Sequence, residues 1–139
     1  MMRWVSCSEE ETEACGRSLA KGLEPDGVLL LIGDLGSGKT VLTRGVAAAL
    51  GIDPRDIQSP TFTVMREHQG IRHRLIHVDL YRLEPNEAAA LGLEETLAGA
   101  GVKVVEWAER LSFPVAGAQR IRFQRGAHDD ERIIEEIDT

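Results

Sequence analysis

The sequence predicts an α/β fold with mixed strand directions, built from strands and helices that alternate along 139 residues. Three observations carry that expectation. Short, continuous apolar runs, Val28-Leu29-Leu30-Leu31-Ile32 above all, have the length and evenness of strands buried on both faces. Segments with apolar residues at helical spacing stand between them. Two pairs of alternating segments, FTVMREH with IRHRLIHVDLYRL and QRIRFQ with RIIEEI, read as hairpins and add antiparallel partners to a parallel sheet.

Taken in order, Ser8-Glu9-Glu10-Glu11 has the spacing of a capping box, a Ser followed three residues on by a Glu. Cys15, Leu19, Ala20 and Leu23 then mark one side of an amphipathic helix that ends near Gly22 to Pro25. After a Pro-Asp-Gly turn, Gly27 to Ile32 is a buried strand. A glycine-rich loop follows, and TVLTRGVAAALG reads as a helix closed by Gly51. Asp53 to Pro60, with two prolines, is a loop. The first hairpin is expected to turn at Gln69-Gly70. Asn86 caps a helix through EAAALGLEETLA. Val102 to Glu106 is a second buried strand that ends on an acid, and the terminal hairpin closes around GAHDDE. There is no repeat, low-complexity tract or linker.

The length is that of one domain with one sizeable core. No apolar run is long enough to span a bilayer, and MMRWVSCSEE lacks the apolar centre of a secretion signal, so a cytoplasmic protein is the expectation. Cys7 and Cys15 form no CxxC pair and have no matching His pair, so they read as reduced thiols. The net charge of −7 argues against direct, tight, non-specific binding of nucleic acid. That charge is uneven. HDDERIIEEIDT holds six acids and one Arg, while RHRLIH and QRIRFQR are locally basic. These segments read either as solvated strand faces or as a dock for a basic partner.

The stretch GDLGSGKT satisfies GxxxxGK[ST] through Gly33, Gly38, Lys39 and Thr40. A loop with these glycines can wrap closely enough to aim backbone N–H groups inward, and the dipole of the next helix favours an anion there. Lys39 is expected to reach the β- and γ-phosphates of a nucleoside triphosphate, and the Thr40 hydroxyl to bind Mg²⁺. The preceding buried strand and the following helix are the context the pattern requires. Such a site needs a metal partner at the end of another apolar strand. Asp79 ends Leu75-Ile76-His77-Val78-Asp79, and Glu106 ends Val102-Lys103-Val104-Val105-Glu106. Each is a candidate for that role, or else an exposed carboxylate at a strand end. His77, alone and without a ligand pair, reads as a packed strand residue.

GDLGSGKT with TRG, SPTFTV, HVDLYRL, LGLEE and VVEWAERL occur in that order from about Thr12 to Arg132, and the combination resembles the TsaE family (also called YjeE). The resemblance implies a single P-loop NTPase-like domain over residues 1–139, a three-layer sandwich with a mixed sheet. It implies an ATP-binding and hydrolysing subunit, a weak Mg²⁺-dependent ATPase. Such a subunit works with TsaB and TsaD, which place a threonylcarbamoyl group on the adenosine next to the tRNA anticodon. Contact with tRNA would then be indirect, which accords with the acidic chain.

Carried over residue by residue, the resemblance assigns the nucleotide to Gly33, Gly36, Ser37, Gly38, Lys39, Thr40 and Val41. It adds Thr61 of Ser59-Pro60-Thr61-Phe62 as a γ-phosphate sensor or metal partner, with a plain Ser-Pro turn as the other reading. Thr12 and Arg132 match residues on the family's nucleotide side. Thr40, Asp79 and Glu106 match its metal side, and Lys39, Asp79 and Glu106 its catalytic groups. Whether Asp79 or Glu106 orients the attacking water stays open, as does whether Trp107 belongs to the core or to the site. Many members read GKTT where this chain has Val41, so a side-chain hydroxyl to the α-phosphate is missing while the backbone N–H remains.

Two other functions compete with the ATPase subunit. An ATP-gated docking module would use occupancy to order residues 59–62 and treat hydrolysis as incidental. A small-molecule kinase would need an acceptor site and an Arg-rich lid, and no insertion resembles one. No NKxD-type guanine signature is present, and the choice of ATP comes from the family resemblance.

Overall fold

In the computed structural model, the described residues are 2–33, 38–58, 64–84, 87 and 92–137. Strands β1 (Arg3–Ser6), β2 (Val28–Ile32), β3 (Met65–Gln69), β4 (Arg74–Asp79), β5 (Val102–Glu106), β6 (Gln119–Arg125) and β7 (Arg132–Ile137) form one seven-stranded sheet. Its order is β1-β7-β6-β2-β5-β4-β3. The four central strands β6, β2, β5 and β4 run parallel, and the outer strands pair antiparallel with their neighbours. The helices are α1 (Glu9–Ala20), α2 (Lys39–Ala49) and α3 (Leu93–Ala98), with short 3₁₀ turns at Pro54–Asp56 and Ala108–Arg110.

The sheet separates two apolar layers, as the three-layer expectation requires. On one side Leu29, Leu31, Leu75, Val102, Val104 and Ile121 pack with Cys15 and Leu19 of α1 and Leu42 and Val46 of α2. On the other, Val28, Leu30, Ile76, Val78 and Val105 pack with Leu93 and Leu97 of α3 and with Ala108. The alternation of side chains along a strand sorts each run between the layers, which is why β2 has no polar residue. Right-handed crossovers explain the placement. The chain moves from β2 to β4 in one direction with α2 between, then back to β5 with α3 between, so the two helices cover opposite faces.

Local chemistry sets the element ends. Ser8 caps α1 by accepting from the Glu11 N–H at 3.1 Å, while the Glu11 carboxylate takes the Cys7 N–H at 3.0 Å. The box thus closes one residue earlier than its usual reciprocal bond. Helix α2 ends in a Schellman turn. Gly51 adopts φ 81°, its N–H donates to Ala48 O at 3.1 Å, and the Ile52 N–H reaches Ala47 O at 2.9 Å. Lys103, on the α3 face of β5, points its ammonium at the carbonyls of Gly99, just past α3, and Asp26, which satisfies a helix end with a cation. Burial holds the Lys103 pKa below the ordinary lysine value.

Helices α1 and α2 touch backbone to backbone through two glycines. A Cβ on Gly16 would lie 2.1 Å from Leu42 O, and one on Gly45 would lie 1.9 Å from Glu13 O. Gly45→Ala gains about 1 kcal/mol of helix propensity but forces the helices apart, an overpacking cost of about 1–3 kcal/mol. The variant is therefore expected to be less stable in urea or thermal denaturation. A rise in stability would show that the helices do not pack this closely.

The structure departs from several sequence expectations. β1 was not foreseen, since RWVS is too short to show alternation; it forms because β7 offers it an unpaired edge. The first hairpin does not turn at Gln69-Gly70. Gln69 pairs with Arg74, leaving the four-residue loop 70–73, in which the Ile71 N–H is taken by Leu50 O at 2.9 Å. β4 stops at Asp79 rather than running through HVDLYRL, because the Asp79 carboxylate accepts the Tyr81 N–H at 2.9 Å and turns the chain. The loop after Gly51 contains the 3₁₀ turn, capped by Asp53 on the Arg55 N–H. Of the helix expected from Asn86, the six residues of α3 are described and follow Gly92, whereas Asn86 lies outside the described residues. The uneven charge is partly resolved as cross-strand pairing, since Glu135 of β7 meets Arg122 at 2.5 Å and Arg3 at 3.8 Å. Among the described residues no helix is long and apolar enough to cross a membrane.

Candidate functional site at the carboxyl edge of the sheet

β2 delivers Gly33 to the carboxyl edge of the sheet, between β5 and β6. Open α/β sheets bind their ligands at this edge. Residues 34–37, and so Gly36 and Ser37, lie outside the described residues, as does Thr61. Gly38 then opens α2 with φ 105°, a conformation that costs any other residue backbone strain. The close crossing of α1 over α2 sets Thr12 beside it. A Cβ on Gly38 would lie 3.6 Å from Thr12 Cγ2 and 3.7 Å from Phe123 Cε2. Thr12 Oγ1 is itself fixed by Ser6 Oγ of β1 at 2.7 Å. Lys39 rises from the first turn of α2, 4% exposed, and donates to Gly33 O at 2.5 Å. Val41 follows two residues later on the same helix.

The register of the parallel strands sets the acids. Leu31 of β2 is level with Glu106 of β5, and Glu106 with Asp79 of β4. Val102 and Val104 face α2, so Glu106 faces it too; Leu75 does the same for His77 and Asp79. The two carboxylates therefore stand on adjacent strands at one level, both buried and both on the side where α2 begins. Thr40 Oγ1 donates to Glu106 Oε1 at 2.9 Å. His77 Nε2 meets the other oxygen, Oε2, at 2.5 Å. Of the residues expected from the sequence to share a metal, Thr40 and Glu106 are thus in contact, and Asp79 stands level with Glu106 on the next strand.

Trp107 follows Glu106 directly and occupies the left-handed region, φ 59° and ψ 43°. A bulky side chain there stores strain, which proteins retain where function requires it. The indole lies against Lys39, whose Nζ is 4.2 Å from its ring centroid, and against Tyr81 at 5.0 Å. It also lies against the Arg110 guanidinium, whose Cζ is 5.6 Å from the ring centroid, and against the α3-side core. Trp107 is therefore both a packing residue and a wall of the site. Glu109, one turn on, takes the Gly33 N–H at 3.4 Å.

Arg132 starts β7, level with Ser6 of β1 and Arg125 of β6. It lies at the same edge of the sheet as the loop but two strands from β2, and its Nη1 donates to Asp129 O at 2.6 Å and Glu131 O at 3.0 Å. Three neighbours of the site were given no part in it by the sequence reading, His77 among them as a packed strand residue. Glu109 falls within VVEWAERL without a role assigned to it there, and Ser6 carries no motif signal. His77 does carry one: it stands two residues before Asp79, so strand alternation places it on the same face.

The donors at this edge suit a hard cation. Two carboxylates and a hydroxyl are all oxygen ligands. Among the described residues no group of three or more His, Cys, Asp or Glu gathers to hold a metal ion.

Comparison with known proteins agrees with this architecture. Residues 6–134 match the family model described as "Threonylcarbamoyl adenosine biosynthesis protein TsaE". The chain is 41% identical over 133 residues to the tRNA threonylcarbamoyladenosine biosynthesis protein TsaE of Bacillus subtilis, covering 96% of this chain and 83% of that one. It is 42% identical over 117 residues to the protein of the same name from Nostoc, covering 81% and 72%. It is 41% identical over 112 residues to that of Treponema pallidum, covering 80% and 82%. Among solved structures, the crystal structure of YdiB from Bacillus subtilis superposes with a TM-score of 0.75 at 38% identity, over 97% of this chain and 83% of that one. With β2 ending beside the start of α2 and the two acids level on adjacent strands, the chain belongs to the TsaE family of threonylcarbamoyl adenosine biosynthesis proteins.

Proposed function

We propose that the chain is a Mg²⁺-dependent ATPase subunit that supports threonylcarbamoyladenosine formation on tRNA, acting with TsaB and TsaD. The observation that carries this reading is Lys39 and Thr40 at the start of α2, with Thr40 against Glu106 and Asp79 level with Glu106 on the next strand. The relatives' names supply the pathway. ATP and the partners come from the family resemblance, and the cytoplasm from the sequence's want of a spanning run or secretion signal.

In this reading, backbone N–H groups around Gly38 and the start of α2 hold the phosphates. Lys39 leaves the Gly33 carbonyl to neutralise the β- and γ-phosphates. Thr40, Glu106 and Asp79 would hold Mg²⁺, which when bound would supply a positive charge against the phosphate oxygens. Either Asp79 or Glu106, each buried at the carboxyl edge of the sheet, orients the attacking water. Trp107 excludes bulk water from the Lys39 side. The chain's acidity leaves tRNA contact to the partners.

Phosphate release from Mg²⁺-ATP, measured for the chain alone and with TsaB and TsaD, tests the proposal. Slow release alone that rises with the pair is the expected result. Negligible release in both mixtures, with ATP still controlling association, would replace hydrolysis by an occupancy-read docking switch. No effect of ATP on either readout would remove the function altogether.

A further inference from the structure

His77 has no place in the scheme above, yet it is the side chain that holds Glu106 from behind. It is fully buried on β4, and its Nε2 lies 2.5 Å from Glu106 Oε2. An ionised carboxylate can only accept, so Nε2 carries the proton of this bond. Nδ1 has no hydrogen-bond partner among the described residues. A histidine kept for packing alone is normally satisfied at its buried nitrogens. This one is satisfied solely toward the acid. Glu106, meanwhile, is gripped at both ends: Oε2 by His77 and Oε1 by Thr40 at 2.9 Å.

The two grips have different fates when substrate arrives. Thr40 belongs to the phosphate loop, and its hydroxyl is the group expected to turn to the cation. His77 sits in the middle of a buried strand, paired with Val104 of β5 on one side and Arg66 of β3 on the other, and stays where it is. A glutamate side chain freed by Thr40 alone regains rotamer freedom, which must be lost again when an ion is held. With His77 in place that freedom is already removed, and Oε1 stays aimed at α2.

We infer that His77 is a positioning residue for the triphosphate site, which fixes Glu106 through Oε2 so that Oε1 is presented to Thr40 and to the cation. The inference rests on the Mg²⁺-ATP reading. Groups that orient a metal-binding side chain are worth about 10–100-fold in metal affinity.

The experiment measures ATP binding by equilibrium titration at increasing Mg²⁺, for the full chain and for His77→Leu, His77→Gln and His77→Asn. Leucine keeps the volume and removes the donor. Glutamine carries an amide N–H at the reach of Nε2, whereas asparagine is too short. His77→Leu and His77→Asn are expected to raise the Mg²⁺ needed for half-maximal ATP binding about 10–100-fold. ATP binding without Mg²⁺ should be unchanged, and His77→Gln should recover most of the Mg²⁺ response. A melting temperature taken without ligand separates out mere loss of stability. Should His77→Leu fail to fold, the Gln and Asn pair carries the comparison. An Mg²⁺ response unchanged in the Leu and Asn variants, or equally poor in all three, would overturn the inference. If the unmodified chain binds no ATP, the proposed function fails, and this inference falls with it. If that chain binds Mg²⁺-ATP and the variants do not differ from it, the inference alone fails.

Discussion

Lys39→Ala is expected to weaken ATP binding about 10–100-fold and to abolish measurable phosphate release, while leaving the fold intact. The argument is electrostatic. The Lys39 ammonium is buried at the mouth of α2, donating to Gly33 O and lying over the Trp107 ring. A triphosphate brings concentrated negative charge to that point, and a charge-assisted bond there is worth about 1.5–3 kcal/mol. Among the contacts the free protein loses, those with the Gly33 carbonyl and the Trp107 ring are modest, because a neutral acceptor and an aromatic face hold a cation only modestly. Binding should therefore suffer more than stability. Lys39→Arg is not expected to rescue, since a planar fork does not fit a site shaped around a compact point charge. Titration calorimetry with ATP, alongside thermal denaturation, checks both halves. Full ATP affinity in Lys39→Ala would mean that the loop does not hold the phosphates.

Glu106→Gln is expected to remove the Mg²⁺ dependence of binding and to slow phosphate release by about 100-fold. The amide keeps the shape of the carboxylate and can still accept from His77 and meet Thr40. Geometry is thus preserved while the charge goes. Two opposing effects bear on stability. The buried carboxylate loses its charge-assisted bonds, but its neighbour Asp79, level with it on β4, loses a like charge. These effects offset each other, so the ligand-free melting temperature should move little, whereas the stabilisation produced by Mg²⁺-ATP should largely disappear. Comparing the melting shift on adding Mg²⁺-ATP in the two proteins measures this directly. An undiminished shift would take Glu106 out of the metal site.

The parts of this site that were legible in the sequence are those encoded locally. The run from Val28 to Ile32, the glycines of GDLGSGKT and the Ala-rich helix after them each declare themselves within about a dozen residues; the strand and the helix form as expected, and Gly38 opens the helix, while residues 34–37 lie outside the described residues. Asp79 and Glu106 were legible as polar ends of apolar runs. Their standing side by side was not, because it depends on β4 and β5 being neighbours with matched ends. His77 shows the same limit more sharply. Its one-sided role depends on a partner 29 residues away, on another strand and at one particular register. A lone histidine in an apolar run gives no hint of that. β1 was hidden for a related reason: four residues form a strand only because β7 has an edge to fill. The overshoot of β4 had a local cause that could have been read, since an Asp two residues before an N–H it can accept is a turn signal. Asn86, Gly36, Ser37 and Thr61 lie outside the described residues, so the structure bears on none of those expectations.

Titration calorimetry of the unmodified chain with ATP, in the presence and absence of Mg²⁺, tests the central claim most directly. A site built from Lys39, Thr40, Asp79 and Glu106 predicts binding of one ATP per chain, tighter with Mg²⁺ than without. Absence of binding, or binding indifferent to Mg²⁺, would contradict it.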